Sequence, residues 1–326
     1  MNDRWGIIAD DNTGATDAAG MLTQSGVRTV LLLDADFRDA SVLEDFDAVI
    51  VGTQNRSIAP TAAADATRTA IARLRDAGFE RFQIKYCSTF DSTREGNIGP
   101  TLDAALDHLG EKATIVCPAL PVNGRTVYQG HLFVGNQLLS DSPLRDHPLN
   151  PMTDANLVRW LQYQTRRGVG LVEHATVRRG PEATREAMQA LTAEGVTYLV
   201  TDALTDEDLV VIVRAAEGWS LLTGGSGITA ALATVHYPPR PPLDFADRLE
   251  GVGAATLVVS GSQSPMTRTQ AEHALQQGFT GIELDVAALL KAPKVVSRIS
   301  NEARHALAET GRLLVYSPSR GAEGVR

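Results

Sequence analysis

Cysteine is nearly missing from this 326-residue chain. Only Cys87 and Cys117 occur, each closing an apolar, strand-like run where a buried thiol is expected. Aromatic residues make up 5% and charged residues 21%, against 43% hydrophobic, which excludes a disordered or fibrous protein and leaves an ordinary globular one. No long basic run is present, and 30 Lys+Arg against 39 Asp+Glu give a net charge of −9, so a nucleic-acid or anionic-membrane footprint is excluded. Long apolar runs are lacking too. The opening MNDRWGIIADD holds five apolar residues before two aspartates, short of a signal peptide, so a cytosolic location is expected.

What is present is length for two cores. Short β-branched runs alternate with Ala-rich helical stretches, the pattern of a parallel sheet covered by helices and thus of an α/β fold. Strands are expected at 5–9, 28–33, 48–52, 82–87, 114–117, 198–201 and 220–223, and helices at 13–25, 61–77, 101–109, 154–164, 181–193, 206–216 and 227–233. Glycines 130 and 135 suggest a hairpin-like excursion over 125–139, followed by an extended loop in DSPLRDHPLNPM. Four prolines in HYPPRPPLDFADRLEG mark residues 236–251 as a stiff connection. Residues 1–235 and 252–326 then form two domains, the second with strands at 254–260, 281–284 and 312–316 and helices at 267–277 and 297–309.

Chemistry concentrates where strands end. Asp10 and Asp11 follow the first strand, and Asp11 or Asn12 can cap the next helix, but two adjacent carboxylates exceed that need. One could serve as general base on a hydroxyl or ligate Mg²⁺. KYCSTFDST places Lys85, Ser88, Thr89, Asp91, Ser92 and Thr93 together, suited to a polyhydroxylated ligand or equally to a capping turn. Arg56 offers a fork for a carboxylate, and Arg125 lies in a loop after another strand. His147 could be a base, although a histidine in a proline-rich loop is more often structural or solvated, and the remaining histidines lack metal-site spacing. LLTGGSG and VVSGSQSPMT place Gly and Ser between strand and helix, where amides can meet phosphate, yet neither matches a nucleotide fingerprint.

Taken in order, IIADDNTGATD, KYCSTFDSTREGNIGP, PALPVNGRTVYQGHLFVG, HPLNPMTDANL, LLTGGSG and VVSGSQSPMT closely resemble the four-carbon acid sugar kinases (DUF1537-like), nearest to the 3-oxo-tetronate 4-kinase branch. The resemblance implies ATP-dependent phosphorylation of the 4-hydroxyl of a 3-oxo-tetronate, with Mg²⁺ expected. It implies an N-terminal acid-sugar domain in which the Asp10-Asp11 segment, Arg56 and the loop carrying Lys85, Ser88, Asp91, Ser92 and Thr93 face the sugar acid. Residue chemistry agrees: Arg56 or Lys85 would hold the carboxylate, Ser88, Asp91 and Ser92 the hydroxyls, Asp10 or Asp11 would orient or deprotonate O4 as the catalytic acid, and Arg125 is a further candidate contact. The resemblance also implies a C-terminal nucleotide domain in which Gly261, Ser262, Ser264 and Thr267 face ATP. The family's later GGETS-like and GNFG-like motifs do not occur before Arg326, so the nucleotide domain is expected to be incomplete.

Other readings stay open at this stage: a threonate or erythronate kinase of the same family, an aldolase or isomerase using Lys85 as amine nucleophile, and a non-catalytic sugar-acid binding protein. The metal ligands are unassigned. A homodimer is the default assembly, with no nucleic-acid or membrane partner.

Overall fold

The computed structural model describes residues 4–37, 40–147, 149–242, 255–262 and 264–317. The chain divides into two compact units, residues 1–243 and 244–326. Residues 243–251 of the expected proline-rich connection lie outside the described residues.

The first unit runs β1 (Trp5–Ala9), α1 (Asn12–Gln24), β2 (Thr29–Leu32), β3 (Ala48–Gly52), α2 (Pro60–Asp76), β4 (Arg81–Lys85), α3 (Ile98–Leu109) and β5 (Thr114–Cys117). It continues with β6 (Arg125–Tyr128), β7 (His131–Val134), β8 (Gln137–Leu138), α4 (Leu157–Gln162), β9 (Gly168–Val172), α5 (His174–Val177), α6 (Pro181–Ala193), β10 (Val196–Thr201), α7 (Asp206–Ala215), β11 (Leu221–Gly224) and α8 (Ser226–His236). Among the described residues, eight strands form one parallel sheet in the order β2-β3-β1-β4-β11-β5-β10-β9. Its central strands are apolar on both faces because helices cover both: WGIIA and AVIVG are buried throughout. Helix α2 packs on α3, and α1 on α8.

The chain leaves β1 for the edge strand β2, returns through β3 beside β1, then crosses to β4 on the other side of β1. The strand order therefore reverses at β1, and the carboxyl ends of β3, β1 and β4 line the crevice that such a reversal opens.

The hairpin excursion exists as an antiparallel β6-β7-β8 sheet. Gln129 and Gly130, with φ of 51° and 69°, make the two-residue turn that suits right-twisted strands. Two expectations needed correction. Strand β9 was missed because Gly168 and Gly170 hide its pattern. Helix α4 starts at Leu157, not Asp154, since Asn156 caps it by accepting from the Arg159 N–H. The loop His147 is a turn-former: its Nδ1 accepts the N–H groups of Leu149 and Asn150 at 3.3 and 3.1 Å.

The second unit contains β12 (Thr256–Ser260), α9 (Pro265–Gln276), β13 (Thr280–Glu283), α10 (Val286–Lys291), α11 (Pro293–Thr310) and β14 (Arg312–Tyr316), with the parallel order β12-β14-β13. Helix α10 was not anticipated, and α11 begins four residues before its expected start because Pro293 opens its first turn. No helix among the described residues is long and apolar enough to cross a membrane.

One motif owes its glycines to packing. A Cβ on Gly225 would meet the Pro118 carbonyl oxygen at 2.7 Å, and one on Gly227 the Ala119 oxygen at 2.4 Å. In LLTGGSG the glycines thus let α8 rest on the 117–119 backbone, and Ser226 hydrogen-bonds Asp17. Gly20, mid-helix in α1, has nothing within 4 Å of such a Cβ. Gly227→Ala should therefore lower stability by about 1–3 kcal/mol through overpacking, whereas Gly20→Ala should raise it by about 0.5–1 kcal/mol. Urea unfolding of the two variants measures both signs.

Candidate functional site

Three strand ends converge on one guanidinium. Arg56 follows β3 and donates from Nε and Nη2 to the two Asp10 oxygens, each at 2.8 Å. Its Nη1 lies 2.8 Å from Asp11 Oδ2 and 4.0 Å from Asp91 Oδ2. The side chains are largely withdrawn from water: Arg56 is 21% exposed, Asp10 14%, Asp11 26% and Asp91 12%. Backbone bonds lock the same residues together, Asp10 N–H to the Lys85 carbonyl at 3.0 Å and Arg56 N–H to the Asp10 carbonyl at 3.1 Å.

Each carboxylate has a different second partner. Asp11 caps α1 by accepting the Gly14 N–H at 2.6 Å. Asp91 accepts the Thr89 hydroxyl at 2.6 Å. Burial raises the pKa of Asp10 above the usual carboxylate value, although the Arg56 bonds and the Arg56 and Lys85 charges pull the other way. Burial and the neighbouring Asp91 charge likewise push the Cys87 thiol up to about 11, so it is protonated at neutral pH.

The loops that carry these groups are strained and braced. Gln54 and Phe90 have φ of 50° and 54°, sparsely populated for residues with a side chain, and flank Arg56 and Asp91. The Asn97 amide donates to the carbonyls of Asn55, Arg56 and Ile58 at 2.6, 3.2 and 3.0 Å, fastening the Arg56 loop to the start of α3. Asn97 escaped the sequence reading, although REGNIG put it beside the hydroxyl-rich run. A buried polar residue that bonds only to backbone leaves no periodic signal.

The structure sorts the other expected site residues. Lys85, at the end of β4, is 3% exposed and joins Asp10, Asp11, Arg56 and Asp91 at the crevice. Ser88 and Thr93 are half-buried, and their hydroxyls have no side-chain bond among the described residues. Ser92 is turned inward, a correction to its expected grip on a ligand: it is 2% exposed, donates to the Phe90 carbonyl and accepts from Trp160 and Gln164, each bond at 3.0 Å. Its hydroxyl is spent on packing α4 under the loop. Arg125 bonds the Asn123 carbonyl at 2.5 Å and makes no ion pair among the described residues. Arg56 is also reassigned, since its fork is filled by Asp10 and cannot present two parallel donors to a substrate carboxylate.

In the second unit, Ser262 and Thr267 line a cleft of about 200 Å³ with Arg268, Glu272 and Tyr316, at the carboxyl ends of β12 and β14. Ser264 caps α9 by accepting the Thr267 N–H at 3.1 Å, and Gly261 accepts the Ser317 hydroxyl at 2.9 Å. This volume is below the ~300 Å³ floor of ligand pockets, enough for phosphate groups but not for a whole nucleotide. Among the described residues, no group of three His, Cys, Asp or Glu is placed to hold a metal ion.

Comparison with known proteins divides the chain in the same two places. Residues 5–232 match a sugar-binding N-terminal domain and residues 257–326 a nucleotide-binding C-terminal domain. A 3-oxo-tetronate kinase of Pseudomonas fluorescens is 41% identical over 98% of this chain and 74% of its own length. One from Burkholderia multivorans is 43% identical over 96% and 72%. Among solved structures, a Salmonella typhimurium protein described as a putative tRNA synthase superposes with a TM-score of 0.81 at 36% identity, covering 99% of this chain and 76% of that one. A Bordetella bronchiseptica protein described as a domain-swapped dimer with bound citrate gives 0.59 at 26% identity, covering 99% and 75%.

Arg56→Ala leaves Asp10 buried without its partner and should cost about 2–4 kcal/mol at pH 7, somewhat under the full-burial range. Removing the Arg56 bonds raises the folded-state pKa of Asp10 further. A carboxyl with a raised folded pKa is stabilising below its unfolded value and loses that contribution as pH climbs through the folded one. The stability deficit of the variant should therefore be largest at neutral pH and shrink as pH falls through the raised Asp10 pKa, read by urea unfolding across pH 3–8.

Proposed function

The chain belongs to the four-carbon acid sugar kinase family, and from that membership we propose that it transfers the γ-phosphoryl group of ATP to the 4-hydroxyl of a 3-oxo-tetronate. The observation that carries this reading is the carboxylate cluster around Arg56, three acids set at the point where the strand order of a parallel sheet reverses.

Phosphoryl transfer asks a protein for positioning and charge neutralisation more than for covalent chemistry. Asp11 is the acid best suited to meet O4, because it is the most exposed of the three and its orientation is fixed from both sides, by the Gly14 N–H on Oδ1 and Arg56 on Oδ2. It orients the hydroxyl and takes its proton. Asp10 acts through Arg56, filling the fork so that only Nη1 is left for Asp11. Ser88 and Thr93, whose hydroxyls make no side-chain bond among the described residues, would bond the 2-hydroxyl and the 3-oxo group.

ATP is assigned to the second unit, where Ser262, Ser264 and Thr267 surround the start of α9 and its amides suit the phosphates. Mg²⁺ fits as an ion carried in on those phosphates, which matches its habit of taking one or two carboxylates plus substrate oxygens rather than a cage made by protein alone.

Full-chain protein supplied with 3-oxo-tetronate, ATP and Mg²⁺ should release ADP in a coupled assay, faster than with threonate or erythronate. A higher rate with either aldonate would move the assignment to that branch. Asp11→Asn, which keeps the helix cap, should reduce kcat by about 100-fold or more. Near-normal turnover in that variant would transfer the base to Asp10 or Asp91.

A further inference from the structure

The loop after β4 turns some of its residues to the crevice and is fastened from behind by others. Asp91 faces Arg56, with Oδ2 4.0 Å from Nη1, while its neighbours Phe90 and Ser92 are buried. Phe90 has a φ of 54° and packs its ring edge-on against Tyr86, 5.1 Å between centroids. A residue with a side chain stays in that backbone region only where its surroundings over-determine it. Ser92 supplies the constraint. Its hydroxyl donates to the Phe90 carbonyl at 3.0 Å and so closes the backbone around Asp91.

A serine hydroxyl has one donor and two acceptor sites, and those of Ser92 are all used. Both acceptor sites are filled from around α4, by Trp160 Nε1 inside the helix and Gln164 Nε2 just past its end, each at 3.0 Å. Gln164 reaches further. Its Nε2 also donates to the Thr93 carbonyl at 2.8 Å, and its Oε1 accepts the Gly99 N–H at 3.1 Å. A Cβ on Gly99 would lie 2.5 Å from the Gln164 carbonyl oxygen, so the first turn of α3 rests directly on this residue. One buried amide thus joins the loop, α3 and the end of α4. On the ligand side the loop is held by little: the Ser88 and Thr93 hydroxyls have no side-chain bond among the described residues, and the short Asp91 bond goes to Thr89 within the same loop.

We propose that Gln164 and Trp160 are positioning residues for the sugar acid, holding the loop through Ser92 and the Thr93 carbonyl in the conformation that turns Ser88, Asp91 and Thr93 to the ligand. This rests on the kinase reading. Neither residue touches substrate. With the brace loosened, the Phe90 backbone relaxes out of the left-handed region, the competent loop is populated only part of the time, and apparent affinity falls by that fraction. Saturating acid draws the loop back. The loss therefore falls on the KM for the acid and spares kcat.

The test is steady-state kinetics of the full chain with 3-oxo-tetronate and ATP. Trp160→Phe keeps an aromatic ring and removes the N–H, and it should raise the KM for the acid by about 3- to 10-fold, the worth of one neutral hydrogen bond. Gln164→Met keeps the length and loses both donors, and it should raise that KM by about 10- to 100-fold. The KM for ATP and kcat should stay unchanged in both. In a Ser92→Ala background, Trp160→Phe should add nothing, because the acceptor is gone. Tyr163→Leu removes an exposed ring of the same segment, the one that Arg94 covers at 4.7 Å, and should alter neither KM.

Trp160→Phe carries the test if circular dichroism shows Gln164→Met or Ser92→Ala unfolded. A lowered kcat at unchanged KM, the mark of a smaller folded fraction, would overturn the brace, as would a Tyr163→Leu effect equal to that of Trp160→Phe. If the unaltered chain does not phosphorylate the acid, the kinase reading fails and the positioning role falls with it. If it does and the variants match it, only the brace fails.

Discussion

One guanidinium governs the crevice. Arg56 spends Nε and Nη2 on Asp10 and Nη1 on Asp11, and among the described residues it is the one side chain that touches both acids at hydrogen-bond distance. Two adjacent carboxylates at the end of a buried strand repel each other and resist burial, so without that cation they would tend to protonate or turn away. The surroundings follow from the need to hold Arg56 still. Asn97 binds three carbonyls of its loop, Gln54 accepts a left-handed backbone beside it, and the Asp10 carbonyl takes its N–H.

The scaffold was legible because its signals are periodic. Short, fully apolar runs such as WGIIA and AVIVG, set between helical stretches, mark interior parallel strands, and the acids after WGIIA then fall at a ligand-binding edge. Nearness in sequence failed where a hydroxyl had a choice of direction. Ser88, Ser92 and Thr93 look alike in KYCSTFDST, yet Ser92 is captured by Trp160 and Gln164 from about 70 residues away. Arg56 was read as a substrate clamp because a lone arginine reveals nothing about the carboxylates that fill its fork. Gly14 and Gly227 fall inside the expected helices, where the sequence gives no sign that each is needed for close contact, one with a lysine and one with a backbone.

Physical roles in the crevice thus separate by how much of each group is already used. Asp10 and Arg56 neutralise each other almost completely, Asp11 retains the greatest exposure of the three acids, and Lys85 adds a second positive charge that acts on Asp10. A small acid with hydroxyls meets that pattern, and the relatives at 41% and 43% identity are kinases of such an acid.

The central claim is that the acceptor atom is the terminal oxygen, held at Asp11. Proton-coupled ³¹P NMR of the product made from 3-oxo-tetronate and ATP tests it most directly. A phosphomonoester signal split into a triplet by the two C4 protons is the predicted result, whereas a doublet from a single carbon-bound proton, or inorganic phosphate as the sole new signal, would contradict it.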